Sequence, residues 1–346
     1  MIATPYLLYL GHADDEIGIK TARGLAVFRP EICLGEFRDD ACPLTLGLPR
    51  LSFAEAVTAG ARTLVLGIAN SGGMLDPAVV RDAARAMEAG LDIASGLHQR
   101  LKDEPLLAET AARTGRLLHD VRDPPPGLPT GTGSKRPGKR LLTVGTDCSV
   151  GKMYTTLCLQ RAMAKRGIAC DFRATGQTGI LIAGSGVPLD AVPADFIAGA
   201  IEQLSPTRHD DGWDLIEGQG SLFHPAFAGV STGLLHGAQP DAIVMCHDPS
   251  RRLMRGLSDR EPPNLATCLA ANLAVARLTS PAVRAIGLAL NTSSLEETEA
   301  LALCRRMADA FGLPCTDPFR MGVEPILDRL LVEYPLSVAA LAGATR

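Results

Sequence analysis

Aromatic side chains are scarce in this chain: Phe, Trp and Tyr together make up 4% of its 346 residues. Basic residues are not in excess either, and the net charge is -4. No stripe of Lys and Arg with interleaved aromatics occurs, so nucleic acid is not an expected partner. CxxC pairs are absent, and nine cysteines is an odd number, which argues against a closed disulfide framework. Reduced thiols in a cytoplasmic protein are the simple reading. Long apolar runs are missing too, so no membrane span is expected. The N-terminus, MIATPYLLYLGHADDE, has a short apolar run but no basic n-region and no small-residue cleavage site. It reads as a first strand and not as a signal peptide.

Hydrophobic residues, by contrast, reach 46%, enough for ordinary cores, and 35 glycines suit close helix–sheet packing. The length favours two domains. One boundary is visible: Arg122 to Arg140, RDPPPGLPTGTGSKRPGKR, is rich in Pro, Gly and Thr and has no apolar periodicity. It reads as a linker over 123–139, between a first domain at 1–122 and a second at 140–346.

Both domains alternate short apolar runs with helical patterns, which implies parallel α/β sheets. In the first, strands are expected at Tyr6–Gly11, Thr63–Ala69 and Leu91–Gly96. A helix is expected from Asp76 to Gly90, with Asp76 as N-cap, Pro77 at the first helical position and Gly90 as the stop. The loop NSGGM directly follows a strand. Loops at carboxyl ends of parallel strands are where open α/β sheets bind ligands, so Asn70 and Ser71 are substrate-binding candidates. In the second, strands are expected at Arg140–Gly145, Ala169–Thr175, Trp213–Gly218, Asp241–Asp248 and Ala285–Asn291. Their apolar character fits burial on both faces. Ser294 with Glu297 reads as the capping box of a helix that Gly312 ends.

The most informative stretch is LLTVGTDCSVGKMYTTLCL, Leu141 to Leu159. A buried strand, a glycine loop and a helix follow one another, which aims backbone N–H groups and a helix N-terminus at one anion. The phosphate-loop pattern GxxxxGK[ST] is met with one residue too many: five residues separate Gly145 from Gly151, and the usual first glycine falls on Thr146. Thr146, Cys148, Ser149, Val150, Gly151, Lys152 and Met153 are the expected phosphate-binding residues. Met153 stands where a Ser or Thr would help hold Mg²⁺. A thioether is a poor ligand for a hard cation, so phosphate binding survives while metal-dependent nucleotide hydrolysis is disfavoured; no metal is expected. Thr155 and Thr156 carry hydroxyls, but helix geometry points them elsewhere. The same helix is expected to bury Tyr154, Leu157, Cys158 and Ala162.

GTDCSVGKM resembles the loop of dethiobiotin synthetase and its P-loop relatives, and two later segments continue the likeness. FRATG (Phe172–Gly176) and IEGQGSLFHP (Ile216–Pro225) stand where those enzymes have a strand-end Ser/Thr-Gly stretch and a metal-binding glutamate segment. Over nearly its whole length the chain resembles a narrower family, DgcN, long catalogued as a domain of unknown function. GIANSGG, GTDCSVGKM, EGQGSLFHP and LLHGAQPDAIVMCHDPSR carry that resemblance. It implies a Rossmann-like N-terminal domain, a P-loop NTPase-like C-terminal domain, and D-glutamate N-acetyltransferase activity with acetyl-CoA as donor. Its partners would be those two small molecules and, by analogy with P-loop enzymes, a second copy in a homodimer.

Acetyl transfer to an amine needs a base, donors for the thioester oxyanion, and an oriented substrate. Glu217, at a strand end before glycine, is a candidate base. Asp147, inside the phosphate loop, is a candidate base or brace. His224 and His236 sit in apparent turns, and His224 is the third catalytic candidate. Arg173, with Thr175 beside it, is the first choice for a substrate carboxylate or a CoA phosphate. Arg251, Arg252 and Arg255 read as a solvated basic face. An acetylated Cys148 is chemically open, because a helix N-terminus lowers thiol pKa, but direct attack by the amine is simpler. Two other readings remain: a Mg-ATP-dependent ligase or kinase, which Met153 disfavours, and a CoA- or nucleotide-binding regulator without chemistry.

Overall fold

The computed structural model describes residues 2–16, 18–69 and 73–335. The chain divides into two units, residues 1–124 with 177–188, and 125–176 with 189–346. Both are α/β.

The first unit contains β1 (Tyr6–Gly11), α1 (Lys20–Phe28), β2 (Cys33–Arg38), α2 (Phe53–Thr58), β3 (Thr63–Leu66), α3 (Pro77–Ala89), β4 (Asp92–Ser95), α4 (Pro105–Thr114) and β5 (Leu118–Asp120). Its parallel sheet has the order β2-β1-β3-β4-β5. Every residue of β1 is buried, as a strand covered on both faces must be. Helix α3 is built as its sequence suggests. The Asp76 side chain accepts from Ala78 N–H, Pro77 opens the helix, and Gly90 ends it at φ +113°. Small residues let the layers approach: a methyl on Gly67 would lie 2.4 Å from Ala22 Cβ. Strand β2 escapes the apolar pattern because it carries buried Glu36, whose carboxylate accepts from Arg38 Nε, Thr45 Oγ1 and Leu46 N–H. Strand β5 is only three residues long. Asn70 and Ser71 lie outside the described residues.

The second unit runs β6 (Lys139–Gly145), α5 (Lys152–Lys165), β7 (Cys170–Arg173), then, after a helix α6 (Gln177–Ala183), α7 (Ile197–Leu204), β8 (Trp213–Ile216), α8 (Ala228–Ala238), β9 (Ala242–His247), α9 (Leu265–Arg277), β10 (Arg284–Leu290), α10 (Glu297–Phe311), β11 (Cys315–Thr316) and α11 (Glu324–Glu333). Its sheet, also parallel, has the order β11-β10-β9-β6-β8-β7. β6 lies between β8 and β9, so the winding changes direction there. In open α/β sheets, the crevice at the carboxyl ends of such strands is the ligand site.

Several expectations are corrected. Helix α6 belongs to the first unit, where Thr178 Oγ1 meets Thr21 Oγ1 at 3.0 Å and Ile182 O accepts from Arg29. The Pro/Gly-rich stretch, at whose start the two units divide, is tied to the second unit. Thr132 and Gly133 amides are held by Glu202, Arg136 by Ser205 O and Gly237 O, and Lys135 by Gln239 O and Asp241. Helix α10 is capped by Glu296 with Glu299, not by Ser294 with Glu297. Thr292 is tied to Asp317 and turns the chain through Leu295 first, which delays the helix. In α5, Leu157, Leu159, Ala162 and Met163 are buried while Tyr154 and Cys158 are half-buried. Lys152, Thr155 and Thr156 of the same helix are buried as well.

Candidate active site

The carboxyl ends of β6, β7, β8 and β9 converge on the loop Thr146–Gly151. Ser149 and Gly151 adopt left-handed φ of +55° and +97°. Such alternation turns successive N–H groups to one side and makes an anion cradle. Lys152 opens α5 behind Gly151, the N-cap. Its stem lies against two glycines: a methyl on Gly218 would sit 2.9 Å from Lys152 Cδ and 1.8 Å from Thr143 O. Neither clash can be relieved without moving β6 or the lysine, so glycine is required there. Lys152 Nζ donates to Asp147 O at 2.7 Å. Burial holds its ammonium below the ordinary lysine range.

Thr155 Oγ1 donates to Gly151 O and Thr156 Oγ1 to Lys152 O, both at 2.9 Å. These hydroxyls are folded back into the helix and do not replace the one missing at Met153. The loop is held from β9 as well, since Thr146 N–H donates to Cys246 O and Thr146 Oγ1 lies 2.9 Å from His247 Nδ1. Burial lowers the His247 pKa, favouring neutral imidazole. Burial pushes the Cys246 thiol up to about 11 and the Cys268 thiol up to about 12, so neither is a nucleophile.

Glu217 follows β8 and is 4% exposed. Its Oε2 accepts from Thr175 N–H at 2.9 Å and Gly176 N–H at 3.1 Å, and Thr175 Oγ1 donates to Glu217 O. Burial pushes the carboxyl up to about 7, against the opposing pull of those amides and of Lys152. Among the described groups at the loop it is the carboxyl poised to exchange a proton at neutral pH.

Asp147 is fully buried, and both its oxygens are engaged. Oδ1 accepts from Cys148 N–H, and Oδ2 from Arg251 Nη1 at 2.9 Å and Arg255 N–H at 2.8 Å. His224 is engaged likewise: Nδ1 accepts from Ala226 N–H at 3.2 Å, and Nε2 lies 2.9 Å from Arg255 O. A carbonyl can only accept, so Nε2 carries the proton and no ring lone pair is free. Asp147, Cys148 and His224 do offer three potential ligand atoms within 4.8 Å of one another. The donor set does not fit a cation, because the imidazole is saturated and Asp147 already faces a guanidinium.

Arg173 turns away from the site. Its Nε and Nη2 both donate to Asp214 Oδ1, in a network with Asp171 and Arg208. His236 lies within helix α8, not in a turn, because the helix runs on to Ala238 and is capped by Gln239. Arg251 and Arg255, expected on a solvated face, instead grip the loop. Arg251 also donates to Cys148 O and Ser149 O, and Arg255 Nη1 to Ser149 Oγ. Their signal was position: CHDPSRRLMR follows the carboxyl end of an apolar strand. Arg252 is exposed.

The fold and loop define a two-unit α/β protein whose second unit is a P-loop domain. The family model described as the DUF1611_C P-loop domain matches residues 129–327, and that of the DUF1611_N Rossmann-like domain matches 35–124, both named as domains of unknown function. The chain belongs to the DUF1611 family, as its resemblance to DgcN implied. It is 51% identical over 329 residues to a D-glutamate N-acetyltransferase of Pseudoalteromonas sp, covering 95% of this chain and 99% of that one. A D-glutamate N-acetyltransferase of Tritonibacter scottomollicae is 50% identical over 330 residues, with the same coverage. The crystal structure of a DUF1611 family protein from Anabaena variabilis ATCC 29413, at 2.30 Å resolution, matches with TM-score 0.86 and 32% identity, over 95% of this chain and 100% of that one. Among the described residues, no helix is long and apolar enough to cross a membrane.

Proposed function

We propose that this chain is a D-glutamate N-acetyltransferase that uses acetyl-CoA, with the phosphate loop holding the donor's anionic end. Half of its residues are shared with two such enzymes over almost the whole chain. The observation that carries the reading at the site is Glu217, a buried carboxyl at about pKa 7 beside a phosphate loop whose metal position is Met153.

Glu217 takes a proton from the D-glutamate ammonium. The freed amine attacks the thioester carbonyl, the C–N bond forms, the C–S bond breaks, and CoA leaves as a thiol after protonation. Asp147 and His224 act as positioning residues: one fixes Arg251 and Arg255, the other the Arg255 carbonyl. Thr175 orients Glu217 through its amide and hydroxyl.

A Mg-ATP-dependent ligase is the second reading, favoured by the place of Glu217 after β8, where P-loop enzymes carry a metal-binding acid. Calorimetry separates the two: the proposal expects CoA to bind without Mg²⁺, and ATP binding that requires Mg²⁺ would overturn it. Incubation with acetyl-CoA and D-glutamate should release thiol and form N-acetyl-D-glutamate, read by mass spectrometry. No thiol above background across D- and L-amino acids would leave a CoA-binding regulator.

A further inference from the structure

Arg255 is held in an unusual way. Two buried side chains secure its main chain on both sides, Asp147 at the N–H (2.8 Å) and His224 at the carbonyl (2.9 Å). This fixes the origin of the side chain. From there the guanidinium reaches Ser149 Oγ at 2.9 Å, at the left-handed tip of the phosphate loop. Arg251, its neighbour, is committed to Asp147 and Asp248. Among the described residues, Arg255 takes part in no ion pair, and its side chain has one hydrogen-bond partner, the neutral Ser149 hydroxyl.

The charges at the loop decide what this arginine is for. Arg251 faces two carboxylates, Asp147 and Asp248, and has no charge to spare for an anion. Lys152 supplies one positive charge. A diphosphate brings at least two negative charges. Loops that hold nucleotides with a metal meet that excess with Mg²⁺. Here Met153 offers the metal no oxygen, and the Thr155 and Thr156 hydroxyls are turned back into the helix. A second fixed cation is needed, and a guanidinium, whose planar fork matches phosphate oxygens, is suited to that place.

We propose that Arg255 is a donor-binding residue: its guanidinium takes a phosphate oxygen of the acyl donor and stands in for the metal ion that Met153 excludes. This rests on the reading of the loop as the donor's anion site. It also gives Asp147 and His224 a shared purpose, the aiming of one arginine.

The test uses the full-length protein and the variants Arg255→Gln and Arg255→Lys. Both keep the two main-chain bonds to Asp147 and His224, so the bond to Ser149 Oγ is the one recorded contact that changes. For Arg255→Gln, CoA affinity by calorimetry and KM for acetyl-CoA should each worsen by roughly tenfold or more, the scale of a charge-assisted hydrogen bond. The kcat at saturating donor and the KM for D-glutamate should stay within about twofold, the scatter of single-site effects without a lost contact. Arg255→Lys should recover part of the loss. Unchanged CoA affinity, or an increase confined to the KM for D-glutamate, would overturn the proposal, the latter by placing Arg255 on the substrate carboxylate. A wild-type protein that binds CoA without transferring acetyl would sink the acetyltransferase reading alone, and the calorimetric arm would still decide Arg255. A wild-type protein that binds no CoA would sink both.

Discussion

Arg251 reaches across from the segment after β9 and donates to Asp147 Oδ2 at 2.9 Å. The pair puts a carboxylate inside an anion-binding loop without repelling the anion. Asp147 is fully buried and Arg251 only 18% exposed, so their attraction is little screened.

Replacing Asp147 by Asn removes that charge while keeping an acceptor for Cys148 N–H. Breaking a buried pair typically costs about 3–5 kcal/mol. Arg251 keeps Asp248 and two loop carbonyls, which sets that figure as an upper level. Asp147→Asn should lower the denaturant midpoint and weaken CoA binding, yet leave the pH dependence of kcat/KM in place. Loss of the acidic limb instead would make Asp147 the base.

Glu217→Gln makes the complementary change. Gln can still accept from the Thr175 and Gly176 amides, so the fold is kept. Activity should fall by about 10²–10⁴, the usual contribution of a positioned base. In the wild type, kcat/KM should decline as pH falls below about 7, where the carboxyl protonates. Stability should move the other way. The folded-state pKa lies above the ordinary glutamate value, so the native state binds the proton more tightly than the unfolded chain. Its contribution is complete below the unfolded pKa and is lost as pH rises to about 7. The melting temperature of Glu217→Gln relative to wild type should therefore increase from pH 5 to pH 8. A constant difference would mean that Glu217 is ionised throughout.

Much of this was legible from residue order alone. Strand–loop–helix spacing located the phosphate loop, and glycine after Glu217 marked a strand end at the site. Caps were readable where the residue types are strongly selective, as at Asp76 and Gly90. What escaped were partnerships between residues far apart in the chain. Nothing local distinguishes Arg251, which binds Asp147 across 104 positions, from Arg252, which is exposed. Arg173 shows the same limit: a strand-end arginine faces either the ligand or a buried carboxylate on the next strand, and only the fold brings Asp214 beside it. Buried Glu36 hid β2, because its charge interrupts the apolar run and its partners lie in a later loop.

The metal position gives a third prediction. With Met153 in place and the neighbouring hydroxyls back-bonded, acetyl transfer should be unaffected by EDTA and by added Mg²⁺. Met153→Thr supplies a hydroxyl at the first turn of α5, and should bring a measurable Mg²⁺ dependence to ATP binding by calorimetry. CoA binding in the absence of metal should stay as in wild type. Inhibition of the wild type by EDTA, reversed by Mg²⁺, would contradict the reading of this loop as metal-free.

Arg173 allows a clean separation of structural and substrate roles. Its strand position pairs with Ile216, but its guanidinium reaches Asp214, two residues earlier on β8. The side chain thus runs toward the amino ends of the strands, while Glu217 lies at the carboxyl end. Asp214 is fully buried and also receives Arg208 Nη1 at 2.9 Å and Ser205 Oγ at 2.6 Å, so removing Arg173 does not leave it bare. Arg173→Gln should therefore cost about 1.5–3 kcal/mol of unfolding free energy, the range for a hydrogen bond to a charged group, and leave the KM for D-glutamate within about twofold of wild type. Chemical denaturation and steady-state kinetics on one preparation decide between the roles. A KM raised tenfold with stability unchanged would show that the guanidinium leaves Asp214 when D-glutamate binds, and would return Arg173 to the substrate.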